Sequence, residues 1–348
     1  MRLKLLSTVL AAATLQGGPP APPPAAWREL IGEYGPDTTT RVMILERGGA
    51  LIARFDSTHE TKLVPDGPNR FRLAGGTLRF RTDSRGRGTG VAARDSFWPR
   101  RALGPEEGSV FRIEPVRPIE ELRREALAAT PPLETGEFRA TDLVELVTLD
   151  STIKLDIRYA GTRNFLGTPL YSQARAFLQR PAAAALVRAH RNLKARGYGL
   201  LIHDGYRPWY VTKMFWDATP PAQHEFVADP ATGSRHNRGC AVDLTLYDLR
   251  TGEPVEMPGV YDEMSHRSYP GYPGGTSRQR WHRELLRETM EAEGFTVYSA
   301  EWWHFDCKDW KSYRIGNTTF EKLGSGPRGM GALHPYWGLP KLSVLIHS

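Results

Sequence analysis

The run Ser234-Arg235-His236-Asn237-Arg238-Gly239-Cys240-Ala241-Val242-Asp243-Leu244-Thr245-Leu246 sets a histidine ahead of a turn glycine and a carboxylate inside an apolar strand. Period-two alternation keeps Val242 and Leu244 on the face opposite Asp243, so one face of this strand belongs to a core. A carboxylate buried among such neighbours carries a steep desolvation cost unless a cation or metal meets it. Further along, Glu301-Trp302-Trp303-His304 adds a second histidine and a second carboxylate, three positions apart and flanked by aromatic residues. Two imidazoles and one carboxylate fill three corners of a tetrahedron around Zn²⁺ and leave the fourth to water, whose pKa the metal lowers towards neutrality. His236, Asp243 and His304 are therefore the expected ligands, with Glu301 left over as the base. Alone, His236 would read as a packed or solvated side chain, and Glu301 to His304 as a core strand with a capping carboxylate. Together they point to a zinc hydrolase.

Outward from this run, Gly199-Leu200-Leu201-Ile202-His203-Asp204 reads as a buried strand that enters the turn Gly205-Tyr206-Arg207-Pro208. A guanidinium held at the end of a strand can meet a developing oxyanion; the structural alternative is an arginine paired with Asp204 to hold the turn. Helical periodicity covers Arg180 to Arg196, stopped by Gly197, and Arg278 to Glu293. Strands are expected at Leu143 to Leu149, Ile153 to Tyr159, Ala241 to Tyr247 and near Phe295 to Tyr298. This order predicts an α+β domain, with helices on a mainly antiparallel central sheet.

At 348 residues the chain has room for a second domain. Between Trp27 and Arg101, short β-prone runs such as Arg41 to Leu45, Leu51 to Phe55, Asn69 to Leu73 and Leu78 to Arg81 alternate with glycine turns, which predicts a small antiparallel sandwich or barrel. Through Gly32-Glu33-Tyr34 and Phe97-Trp98-Pro99-Arg100-Arg101 it resembles the lipocalin-like β domains appended to secreted serine hydrolases. No catalytic constellation lies there, and its expected role is accessory. The expected organisation is a signal peptide over 1–17, a Pro/Gly-rich linker over 18–26, the β domain over 27–117, a connector over 118–141 with a helix from Ile119 to Ala129, the zinc domain over 142–323, and a Gly-rich tail over 324–348. Two basic residues before a short apolar run support the signal peptide, hence export to the periplasm or beyond, and no other segment is apolar for long enough to anchor the chain across a membrane. The net charge of +7 comes with no nucleic-acid motif, so no nucleic-acid partner is expected. Of the two cysteines, Cys240 lies three residues before Asp243 and Cys307 three after His304. Strands that pair the two ligands would bring the sulfurs together, either as one bridge or as two buried thiols.

The stretch from about Asp142 to Leu323 resembles the zinc D-alanyl-D-alanine dipeptidases of the VanX type, peptidase family M15. The resemblance rests on Asp156-Ile157-Arg158-Tyr159-Ala160, Asn164-Phe165-Leu166-Gly167, Asp204-Gly205-Tyr206-Arg207-Pro208, the run from Ser234 to Leu246, and Glu301-Trp302-Trp303-His304, in that order. It implies one Zn²⁺ held by His236, Asp243 and His304, Glu301 as general base and Arg207 as stabiliser of the tetrahedral intermediate. It also implies Ser234 and Asp262 as contacts for a small D-amino-acid dipeptide, Asp262 facing its ammonium. Arg235, Cys240 and His203 depart from the family pattern, and Arg235 bears on the pocket entrance. The alternatives are a peptidoglycan D,D- or L,D-carboxypeptidase or endopeptidase with the same metal pattern, and a non-catalytic module whose β domain associates with the cell wall.

Overall fold

The computed structural model describes residues 17–36, 39–105 and 110–323; the expected signal peptide, up to residue 16, and the Gly-rich tail lie outside them. After a short helix α1 (Ala25–Arg28), the N-terminal part runs as an antiparallel meander through β1 (Gly32–Tyr34), β2 (Val42–Arg47), β3 (Ala50–Arg54), β4 (Glu60–Lys62), β5 (Val64–Pro65), β6 (Arg70–Leu73), β7 (Gly76–Thr82), β8 (Gly88–Ala93) and β9 (Ser96–Pro99). These strands form sheets of four and five, in the orders β1-β2-β3-β4 and β5-β6-β7-β8-β9, and a bridge between Tyr34 and Arg100 joins the first strand to the end of the last. Alternating side chains such as Val42, Ile44, Leu51, Ala53, Leu78, Phe80 and Val91 close a core of their own.

A second core fills the C-terminal part. Its elements are α2 (Ile119–Ala128), β10 (Leu143–Glu145), α3 (Leu146–Leu149), β11 (Lys154–Leu155), β12 (Phe177–Gln179), α4 (Arg180–Lys194), β13 (Tyr198–Asp204), α5 (Trp209–Ala218), β14 (Ala241–Asp248), α6 (Ser277–Ala292), β15 (Phe295–Tyr298) and β16 (Glu301–Cys307). The central sheet has the order β11-β13-β14-β16-β15; only the β11–β13 pair is parallel, so the fold class is α+β as the sequence predicts. β13 is buried throughout and β14 all but its last residue, because α4 and α6 pack together against the sheet. Pro181 opens α4, where a missing N–H costs nothing, and Gly197 (φ 86°) follows its end. Thr276 and Gln279 form a capping box at the start of α6.

Two expected strands are shorter than their sequences suggest. Leu143 to Leu149 is a strand only as far as Glu145, where Leu146 turns into α3 and buries itself in the core. Of Ile153 to Tyr159, only Lys154–Leu155 pairs with the sheet, and Arg158–Ala160 is a 3₁₀ turn that buries Tyr159. The helix α5 follows Pro208 directly and buries Val211, Thr212, Met214, Phe215 and Ala218 at helical spacing. Its Val, Thr and aromatic content gives it weak intrinsic helix propensity, and packing against α2 supplies what propensity does not. Leu122 and Ala126, in the segment expected as a connector, are built into this second core, and Phe111 and Ile113, at the end of the stretch expected as the β domain, also pack against it.

Candidate active site

The register of three neighbouring strands assembles the site on the sheet face opposite α4 and α6, with α5 at its edge. Asp243 on β14 pairs directly with His304 on β16, and their side chains rise from the same face. A strand with strict period two would send Glu301 and His304 to opposite faces. The β15–β16 ladder breaks between Val297 and Tyr298, which pair with Phe305 and Glu301, and this irregularity brings Glu301 round to within 3.6 Å of His304. A second irregularity between Ile202 and Asp204 leaves His203 unpaired and turns Asp204 inward. His236 comes from a 3₁₀ turn ended by Gly239 in the left-handed conformation (φ 66°), where a side chain would also meet Leu143.

Three atoms able to bind a metal meet at the centre. His236 Nε2 lies 3.1 Å from His304 Nδ1, and Asp243 Oδ1 lies 3.3 Å and 3.1 Å from these two nitrogens. Tetrahedral donors about 2.0–2.1 Å from one zinc ion stand about 3.3 Å apart. The remaining ring nitrogens are committed elsewhere: His236 Nδ1 donates to the Gly205 carbonyl at 2.7 Å and His304 Nε2 to Asp306 Oδ1 at 2.9 Å. When neutral, each imidazole thus turns a lone pair to the centre, the arrangement of a metal ligand held by a second carboxylate or carbonyl. Asp243 Oδ1 is buried without a hydrogen-bond partner. These residues could hold a metal ion.

The electrostatics of the cluster point the same way. Burial works to raise the Asp243 carboxyl, but His236 and His304 hold it well below the usual carboxylate range. Burial also opposes charge on His304, yet Asp243 and Asp306 outweigh it and raise that ring to about 10. The cluster therefore demands positive charge. Glu301 is pushed up to about 7 by burial, with His304 opposing and Asp243 reinforcing, which leaves it able to gain or release a proton near neutrality.

Arg207 is tied to the turn, as the structural reading has it, and also faces the site. Its guanidinium pairs with Asp204 Oδ2 at 2.9 Å, stands 3.6 Å from Asp243 Oδ2, and lies over the rings of Phe215 and Tyr159. It also lines, with the three ligand residues, Glu301, Ser234 and Asp262, a cavity of about 470 Å³. Ser234 is buried, and its hydroxyl accepts from the His236 amide at 3.2 Å, so it shapes the ligand turn as well as the cavity wall. Asp262 adopts a left-handed conformation (φ 60°). One of its oxygens accepts from Tyr159 at 2.8 Å, and the other is buried without a partner. Burial, reinforced by Asp243, drives its carboxyl well above the usual range, a state that an arriving ammonium would reverse.

Asp306, Asn237 and Tyr261 were not singled out from sequence, whereas Arg235, His203 and the two cysteines were. Asp306 orients His304 and forms an ion pair with Arg235 at 3.2 Å, while the Arg235 guanidinium stacks over Tyr298 and Trp310; Arg235 thus lines the entrance tied back rather than free. Asn237 accepts from the Ser234 amide and donates to the Arg207 carbonyl and Thr212, joining two loops of the site. The Tyr261 hydroxyl donates to Asp243 Oδ2 at 3.0 Å and lies 3.1 Å from the hydroxyl of Tyr159. His203 stacks on the Tyr261 ring, and burial lowers its pKa to about 4. Cys240 and Cys307 are buried free thiols beside the same strand pair. The signal for Asp306 was present: it stands two residues from His304 and so shares its strand face.

A buried His–Asp–His cluster with a carboxylate and an arginine beside it suits a metallopeptidase. Residues 139–321 match the family model described as D-ala-D-ala dipeptidase, and the chain belongs to that family. It is 36% identical over 175 residues to a D-alanyl-D-alanine dipeptidase of Escherichia coli K12, covering 50% of this chain and 89% of that protein. Over 199 residues it is 37% identical to one of Streptomyces coelicolor, covering 50% of this chain and 93% of that one. One of Enterococcus faecium is 36% identical over 175 residues, covering 45% of this chain and 87% of the relative. The N-terminal β region precedes the family match. No helix among the described residues is long and apolar enough to cross a membrane.

Proposed function

We propose that this chain is an exported zinc dipeptidase that hydrolyses D-alanyl-D-alanine or a closely related dipeptide. The observation that carries the reading is one cavity with an orphaned Asp243 oxygen at its centre, Glu301 beside it, and a second orphaned carboxylate, Asp262, in its wall. The basic and apolar N-terminal run supports export.

Zinc, when bound by His236, Asp243 and His304, supplies a Lewis acid for the scissile carbonyl and lowers the pKa of water. Glu301 takes the proton from the attacking water and returns it to the leaving amine, a double role suited to a carboxyl that titrates near 7. Arg207, held by Asp204, donates to the oxyanion as it develops. Asp262 pairs with the free ammonium of the substrate through its unpartnered oxygen, and Ser234 lines the path of the peptide. Phe215, Trp303 and Tyr159 wall off water. A carboxypeptidase must admit a longer chain where Asp262 stands.

The test is D-alanine release from D-alanyl-D-alanine, from its N-acetyl derivative and from a peptidoglycan stem peptide. The free dipeptide is expected to be preferred over the N-acetyl form by at least about 10²-fold, because the blocked amine leaves a buried carboxylate unpaired. Preference for the stem peptide would instead establish the carboxypeptidase reading.

A further inference from the structure

We propose that the N-terminal β region is a positioning element for Asp262, and that Glu33 on β1 is the residue through which it acts. The proposal rests on the reading of Asp262 as the amine-binding group.

Asp262 lies on the segment between β14 and α6, in a left-handed conformation that is uncommon outside glycine though better tolerated by aspartate than by most residues. That segment is fastened from the β region at three places. Glu33 accepts from His266 Nε2 at 2.6 Å and from the Tyr272 hydroxyl at 3.0 Å through one oxygen, while Thr40 and Arg101 engage the other. Glu46 on β2 accepts from the Ser277 amide at 2.7 Å, its own amide donates to the Gly275 carbonyl at 3.1 Å, and Arg280 donates to its carbonyl at 2.6 Å. Between these two points, Arg267 donates to the Pro105 carbonyl at 2.8 Å and grips the buried Glu263, the residue next to Asp262.

The chain of contacts is short. Glu33 fixes His266 and Tyr272, Arg267 sits beside His266, and Arg267 holds Glu263 with both of its reaching nitrogens. Gly104 approaches Glu263 so closely that a Cβ there would lie 2.5 Å from the carboxylate. Of these residues only Glu263 lines the cavity, and none belongs to the His236–Asp243–His304 cluster. What they set is the place of a carboxylate that selects the substrate's amine. An adhesive appendage would not need two fully buried glutamates directed at an active-site segment.

The experiment uses the full chain, with Glu33→Ala as the main variant and D-alanyl-D-alanine and its N-acetyl derivative as substrates. KM for the free dipeptide is expected to rise about 3- to 30-fold while kcat changes less, and discrimination against the N-acetyl form should shrink by a similar factor. Zinc content should be unchanged, and amide exchange in residues 260–272 should accelerate. Should Glu33→Ala not fold, His266→Ala removes the partner on the partly exposed side and is expected to move KM in the same direction. A folded variant with wild-type KM and wild-type discrimination overturns the proposal, as does an equal fall in kcat for both substrates with KM unchanged. If wild-type protein cleaves no free dipeptide, it is the dipeptidase reading that fails.

Discussion

Glu33 and Glu46 in the β region are as deeply buried as Asp243 in the peptidase region, with exposures of 2%, 1% and 2%, but their surroundings are finished in different ways. Both oxygens of each glutamate are occupied by hydrogen bonds from side chains or backbone amides. Asp243 and Asp262 each keep one oxygen buried and unpaired. Burial by itself therefore does not mark function. A buried carboxylate with both oxygens engaged holds a structure together, and one with an orphaned oxygen is suited to a ligand that completes it.

The comparison breaks most visibly at the centre. Removing the metal with a chelator, or replacing His304 with Ala, is expected to abolish D-alanyl-D-alanine hydrolysis, and added zinc should restore the chelated wild type but not the variant. Arg207→Lys keeps the charge and loses the planar fork; kcat/KM should fall about 10²–10³-fold, whereas an arginine that only held the turn would lower Tm and spare turnover. Asp306→Asn leaves His304 in place but weakens its orientation, so zinc affinity should drop about 10–100-fold, read by competition with a chromophoric chelator.

The smallest effect belongs to the β region. Burial works to raise the Glu33 carboxyl, but hydrogen bonds from His266 and Thr40, the charge of His266, and a hydrogen bond from Tyr272 hold it below the usual range of a glutamate. A group whose pKa is depressed by folding stabilises the fold above its unfolded value and loses that contribution as pH falls through the folded one. The Tm difference between wild type and Glu33→Gln should accordingly be widest above pH 4.5 and narrow in more acid solution. A difference independent of pH would show that the charge on Glu33 does not contribute.

The centre is the part most legible in the sequence, because ligand chemistry restricts residue type. His236, Asp243, His304 and Glu301 announce themselves by kind and by their apolar or aromatic settings, and the structure gathers the four into one cavity. The long helices α4 and α6 follow from periodicity, proline and glycine. What the sequence conceals is register. Glu301 and His304 share a face only through a break in the ladder, and nothing in their spacing reports that break. The Tyr261–Tyr159–Asp262 chain joins residues far apart along the chain, and Glu33 meets its partners more distantly still. Local pattern cannot encode contacts of that separation. The ends of β10 and β11 were misread because Leu146 and Tyr159 are apolar in any conformation, and the core claims them from a helix and a 3₁₀ turn.

The most direct test of the zinc dipeptidase reading measures zinc content and D-alanyl-D-alanine turnover together for wild type and Glu301→Gln. One zinc per chain is expected in both proteins, with turnover about 10²–10⁴-fold lower in the variant. Wild-type protein without stoichiometric zinc, or a variant that keeps the wild-type rate, would contradict it.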